Sequence, residues 1–244
     1  HAFCNAPGYL KWTAICGQGG SGKTRLAYDF SKEMENEGWF SHPPCHTSAW
    51  FKHNGQEIVN TDANILICMD YVKYSIDEIA DFMKLLHETG QFSGYKIRFI
   101  LIERNIEDFE DLIQEESGIM EYLYLPEKND EACSQFIHLK GMEKTAIGSI
   151  MSDYIHEYKK QLELDKNLTA DDVNKMTEVL LRIDPEEKRP LYALFIADAW
   201  CAGEPLDKWD RATAHQYVIQ KELRRIDRAV KESDLPDGEK SVYA

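Results

Sequence analysis

The sequence predicts an α/β fold: a three-layer sandwich with a mostly parallel central sheet, followed by an all-helical lid subdomain. Three observations carry this expectation. A glycine-rich turn, Gly17 to Thr24, stands between a short apolar run and a stretch free of Gly and Pro. Two further continuous apolar runs flank a segment of helical periodicity. Beyond about Asp130 the strand signals stop, which divides the chain into a core over 1–130 and a helical subdomain over 131–244.

Lys11-Trp-Thr-Ala-Ile-Cys16 runs into the glycine-rich turn and reads as a strand, and Lys23 to Glu37 reads as a helix that stops at Gly38. His42-Pro-Pro-Cys-His46 reads as a loop. Asn64 to Asp70 and Lys96 to Ile102 are too short for typical helices and apolar throughout, as expected of parallel strands covered on both faces. Between them Ile76, Ile79, Ala80, Met83 and Leu86 recur at helical spacing, so strand, helix and strand follow as a right-handed crossover requires. An amphipathic stretch from Ile106 to Glu116 leads into Tyr122-Leu-Tyr-Leu125, a candidate edge strand. The helical half is broken by polar segments at Asp165 to Asn167, Asp184-Pro185 and Gly203 to Pro205. Its last helix, from about Trp209, carries Ala212, Ile219, Leu223, Ile226 and Val230 on one stripe, expected to pack on neighbouring helices. No internal repeat is present.

Composition narrows the function classes. The 244 residues are 43% apolar and 29% charged, an ordinary globular balance, and no apolar run approaches the roughly 18 residues of a membrane helix. Against 28 Lys and Arg stand 43 Asp and Glu, and the net charge of −15 repels a polyanion, which makes nucleic acid an unlikely partner. The six cysteines are scattered without a CxxC pair and read as reduced thiols of a cytoplasmic protein. The first residue is His1 with no signal core after it, so the expectation is a fragment of a longer chain with further domains.

Gly17-Gln-Gly-Gly-Ser-Gly-Lys23-Thr24 matches GxxxxGK[ST] in full, in the strand-to-helix setting of a phosphate-binding loop, the Walker A motif of P-loop NTPases. Gly17, Gly19, Gly20 and Gly22 let the backbone take positive φ and turn its N–H groups inward, Ser21 and Arg25 belong to the same segment, and the helix dipole points at the same place. Lys23 then reaches the β and γ phosphates, and the Thr24 hydroxyl is a Mg²⁺ ligand. Asp70 ends the next apolar run, where a carboxylate holds Mg²⁺ through water. Glu103 ends the following strand and can orient the attacking water if that strand lies between those of the loop and Asp70; the competing reading is an ion pair with Arg104. Arg104, at the same strand end, is placed to touch the γ phosphate. His42, Cys45, His46 and His53 lack the paired spacing of a structural zinc site. Asn174-Lys-Met-Thr177 breaks the NKxD tetrad of guanine specificity, which favours adenine and hence ATP or ADP as the nucleotide.

With these residues in place, the chain resembles the STAND class of signal-transducing P-loop ATPases, which includes bacterial defence proteins, and most closely its bacterial novel-STAND branch. The resemblance rests on Trp12, Gly17 to Ala27, Gly38-Trp39, Asp70-Tyr71-Val72, Ile97 to Arg104 and Arg189-Pro190-Leu-Tyr-Ala193, and covers most of residues 9–230. It implies that Arg104 is the family's sensor arginine and that Pro190 is the proline of its GxP motif, which lies against the nucleotide. It implies that core and helical subdomain clasp the nucleotide, that exchange or hydrolysis changes their pose and drives homo-oligomerisation, and that effector and sensor domains of the same chain are the partners. The sequence departs from the pattern at Lys188, where the GxP glycine belongs, and after Asp70, where Tyr71 replaces an acidic residue and points to slow turnover. The reading is therefore a slowly hydrolysing ATP switch. Its rivals are a small-molecule kinase using the same loop and a nucleotide-dependent scaffold without useful hydrolysis.

Overall fold

Alternation along the apolar runs decides which layer each side chain enters. The computed structural model describes residues 1–46, 58, 62–90, 94–105, 117–124, 136–162 and 167–232. The chain divides into two units, His1–Lys140 and Gly141–Ala244. The first contains helix α1 (Ala2–Asn5), strand β1 (Leu10–Cys16), helix α2 (Lys23–Asn36), strands β2 (Phe40–His46) and β3 (Ile65–Asp70), helix α3 (Ile76–Gly90), and strands β4 (Ile97–Glu103) and β5 (Ile137–His138). All strand pairings among the described residues are parallel, in the order β2-β3-β4-β1-β5.

Odd-numbered residues of β3 and β4 (Ile65, Ile67, Met69, Ile97, Phe99, Leu101) join Leu10, Trp12 and Ala14 of β1 in a core against Ile76, Ile79, Ala80, Met83 and Leu86 of α3. The opposite face (Ile15, Leu66, Cys68, Ile100, Ile102) packs on Ala27 and Met34 of α2. The three-layer sandwich follows directly from period-2 alternation in strands buried on both faces. Arg98 interrupts the second face: fully buried on β4, it donates to the carbonyls of Phe3, Ala6, Gly8, Tyr9 and Ile97 at 2.6–3.2 Å. These bonds tie the N-terminal segment to the sheet and satisfy a buried cation whose acceptors among the described residues are backbone carbonyls.

Four expectations need correction here. His42-Pro-Pro-Cys-His46 lies within edge strand β2 rather than a loop, with a register irregularity between His42 and Cys45. Prolines without N–H groups are tolerated at an edge. Tyr122 to Leu125 does not form a strand in its described part: Ser117–Tyr122 is a 3₁₀ turn, and Leu123 makes a single bridge to Trp12, while the edge beside β1 is completed by Ile137 and His138 pairing with Ile15 and Cys16. Strand structure thus continues past 130, and the first unit ends at Lys140. Ile106 to Glu116 lies outside the described residues.

The second unit contains α4 (Lys144–Leu162), α5 (Ala170–Ile183), α6 (Pro190–Cys201) and α7 (Arg211–Glu232). Thr169 caps α5 in a capping box with Asp172, and α6 starts with Pro190 in its first turn, where a missing N–H has no cost. Its core joins Ile147, Met151 and Ile155 to Met176, Leu180 and Ile183, and to Tyr192, Ala193, Ile196 and Trp200. The fourth correction concerns α7. Ile219, Leu223 and Ile226 are 60%, 57% and 46% exposed, and Ala212 is exposed too, so these residues of the expected stripe do not pack on the neighbouring helices; Ala214 and Tyr217 face the core instead, and the Val230 side chain lies outside what is described. Periodicity identifies a stripe but not what it meets.

Candidate functional site

The sheet order places the site. From β1 the chain passes through α2 to the far edge at β2, then returns through β3 to β4, which lies directly beside β1. The carboxyl ends of β1, β3 and β4 therefore converge where connections leave in opposite directions, the usual location of ligands in open α/β sheets. The Gly17–Gly22 loop follows β1, Asp70 ends β3, and Glu103 ends β4 in register with Cys16. β4 thus lies between β1 and β3, which meets the condition set for Glu103.

The glycines of the loop do different jobs. Gly17 (φ +151°) has no room for a side chain, because a Cβ there would lie 2.7 Å from the Leu139 carbonyl oxygen. Gly20 (φ +84°) and Gly22 (φ +94°) take left-handed conformations, and Gly22 is the N-cap of α2. Gly19 does not share this positive φ, contrary to expectation; its α-carbon faces the Arg104 guanidinium, 3.8 Å from where a Cβ would stand.

Lys23 is buried, and its Nζ donates to the carbonyls of Gly17 at 2.6 Å and Gln18 at 3.1 Å, so the ammonium sits inside the curl of the loop. Burial lowers its pKa, Asp70 opposes that shift, and the charge of Arg104 adds to it. A cation in this environment gains from an incoming anion. The Thr24 hydroxyl donates to Asp70 Oδ2 at 2.6 Å, which brings the two expected metal ligands together. Hard oxygen donors in contact at a helix N-terminus suit Mg²⁺. The Ser21 Oγ is buried in the loop without a hydrogen-bond partner, an orphan that a phosphate oxygen would satisfy. Arg25 instead points along α2, paired with Asp29 at 2.8 Å.

Glu103 accepts the Arg104 backbone N–H at 2.6 Å and the Lys73 backbone N–H at 3.1 Å. Glu103 therefore bonds the main chain of Arg104. The Arg104 side chain goes elsewhere: its Nη2 donates to the Tyr71 hydroxyl at 3.1 Å, and its guanidinium lies 5.3 Å from the Tyr71 ring centre. In the sequence Tyr71 stands out as part of the Asp70-Tyr71-Val72 segment and as the replacement of an acidic residue, and no motif signals its contact with Arg104. Pro190 belongs to the second unit, where Arg189 and Arg211 both bond the buried Asp184. Lys188 has φ +43°, so it keeps the left-handed backbone that the GxP glycine would favour.

No protein family matches the sequence, and no curated protein matches it. Solved structures do. Drosophila ORC bound to DNA superposes with a TM-score of 0.53 at 14% identity over 87% of this chain. Thermotoga maritima RuvB gives 0.51 at 10% over 95%, and the Aeropyrum pernix ORC1 protein in complex with DNA gives 0.51 at 12% over 96%. The chain shares with these structures the parallel α/β sandwich of P-loop NTPases, followed by helices. It spans 61%, 71% and 65% of those three chains. No helix among the described residues is long and apolar enough to cross a membrane.

Proposed function

We propose that the chain is an ATP-binding regulatory switch module of the STAND type, whose nucleotide state controls conformation and homo-oligomerisation and whose turnover is slow. The observation that carries this reading is the complete loop: Lys23 curled onto Gly17 and Gln18, with Thr24 and Asp70 in contact beside it. Backbone N–H groups of Gly19 to Thr24 and the α2 dipole receive the phosphates, Lys23 exchanges its carbonyl partners for phosphate oxygens, and Ser21 supplies a further hydroxyl. Thr24 and Asp70 would hold Mg²⁺, which supplies positive charge to the β and γ phosphate oxygens. Arg104 contacts the third phosphate, and Pro190 is the helical unit's proposed contribution.

Slow turnover follows from the site's general-base position. Tyr71 succeeds Asp70, and each carboxylate oxygen of Glu103 already accepts a backbone N–H group that competes with a water for it. Effector and sensor domains of a longer cytoplasmic chain are the proposed partners. Two of the structural neighbours were solved with DNA, whereas the net charge of −15 argues against that partner here.

The test is the nucleotide released on denaturing the purified protein, together with the ATP turnover of wild type and Lys23→Ala. Bound ADP with turnover well below one per second, and an ATP affinity about 100-fold weaker in Lys23→Ala, is the expected result. Fast phosphoryl transfer to a small acceptor would replace the switch with the kinase reading.

A further inference from the structure

Tyr71 has a left-handed backbone, φ 58° and ψ 47°, which a tyrosine keeps only where its surroundings impose it. Here two acidic side chains do so. Asp70 Oδ1 accepts the Tyr71 N–H at 2.9 Å, and Glu103 Oε2 accepts the Lys73 N–H at 3.1 Å while its other oxygen holds the Arg104 N–H. The turn after β3 is thereby fastened to the end of β4. Its consequence is the contact of the Tyr71 ring and hydroxyl with the Arg104 guanidinium, which itself lies against Gly19 of the phosphate-binding loop.

We infer that Tyr71 is a positioning residue for discrimination between nucleoside triphosphate and diphosphate: it holds Arg104 over the loop, where the third phosphate arrives. This rests on the proposed nucleotide site. An exposed arginine on a flexible stem loses rotamer freedom when it binds an anion, and a side chain already fixed by a hydrogen bond and a ring face loses less. The Tyr71 hydroxyl engages Nη2, so the guanidinium keeps other N–H groups for phosphate. ADP has no third phosphate, and the benefit is confined to ATP.

The experiment is calorimetric titration of the full chain, in Mg²⁺, with the non-hydrolysable analogue AMPPCP and with ADP. Tyr71→Phe keeps the ring and loses the hydroxyl; the expected result is an AMPPCP affinity about three- to tenfold weaker with ADP affinity unchanged. Tyr71→Gly, whose backbone takes the left-handed turn freely, gives a larger loss of the same kind and serves if the phenylalanine variant misfolds. In an Arg104→Ala background, Tyr71→Phe changes neither affinity. Equal losses for both nucleotides, an unchanged ratio, or an effect that survives in Arg104→Ala overturns the assignment while the nucleotide site stands. Failure of the wild type to bind either nucleotide overturns the proposed function, and this inference with it.

Discussion

Asp184 offers the sharpest test of how the helical unit holds its Arg189-Pro190 segment. Its side chain is 1% exposed and accepts the Arg189 backbone N–H at 3.0 Å, Arg189 Nε and Nη2 at 2.8 Å each, and Arg211 Nη2 at 2.8 Å. In Asp184→Asn the volume is kept, the charge is lost, and one carboxylate oxygen becomes an NH₂ facing guanidinium donors. Arg189 is only 17% exposed, so a largely buried cation loses the Asp184 charge that faces it. Breaking such a pair from one side costs about 3–5 kcal/mol, and the remaining amide oxygen sets the expectation near the lower end, about 3 kcal/mol. Arg211 is 53% exposed, and solvent screening reduces its share to about 0.5–1 kcal/mol. Urea unfolding followed by far-UV circular dichroism measures the difference. Burial pushes the Asp184 carboxyl up, but bonds and charge from Arg189, with charge from Arg211, outweigh that and hold its pKa below the usual carboxylate value. A depressed carboxylate contributes stability that is present above its unfolded pKa and lost as pH falls through the folded one. The gap between wild type and Asp184→Asn is thus full at pH 7 and narrows below about pH 4. A loss under about 1 kcal/mol at pH 7, or a gap that does not narrow in acid, would refute the reasoning.

Two further outcomes follow from backbone geometry. Gly17→Ala puts a Cβ 2.7 Å from the Leu139 carbonyl oxygen at φ +151°, so the loop and the end of β5 must separate; the expected result is at least a tenfold loss of ATP affinity, read by titration, with about 2 kcal/mol lost on urea unfolding. Lys188→Gly relieves a left-handed lysine at φ +43°; after the entropy of the added glycine, the helical unit gains about 0.5–1 kcal/mol, read as a raised unfolding midpoint.

The layers of the fold were legible because burial on both faces leaves a direct trace: Ile65 to Met69 and Ile97 to Ile102 are apolar without interruption apart from Arg98. The edges were not. An edge strand needs neither continuous apolarity nor every N–H, so Pro43-Pro44 disguised β2 as a loop. β5 contributes two exposed residues to the sheet, and its pairing with Ile15 and Cys16 comes from more than a hundred residues away in sequence, beyond any local pattern. Arg98 is the complementary case. A charged residue in a buried strand looks like an error in the pattern until the carbonyls of Phe3 to Tyr9 are placed around it.

The site divides along the same line. Lys23, Thr24 and Asp70 were readable because phosphate and Mg²⁺ demand fixed residue types at fixed places on a strand-to-helix turn, and the structure brings Thr24 to Asp70 across two elements. Tyr71 was not readable, because its part depends on a backbone angle and on a neighbour supplied by the adjacent strand. The residue type alone says only that a carboxylate is missing. Once Asp70 and Glu103 are seen holding the turn from both ends, the absence of that carboxylate and the presence of the ring are linked: an acidic side chain at 71 would pair with Arg104 and neutralise it, whereas the tyrosine hydroxyl engages the guanidinium without cancelling its charge. On the proposed function, one residue then accounts for both slow turnover and an Arg104 kept ready for the third phosphate, and the paired AMPPCP and ADP titrations of Tyr71→Phe test the second half of that statement.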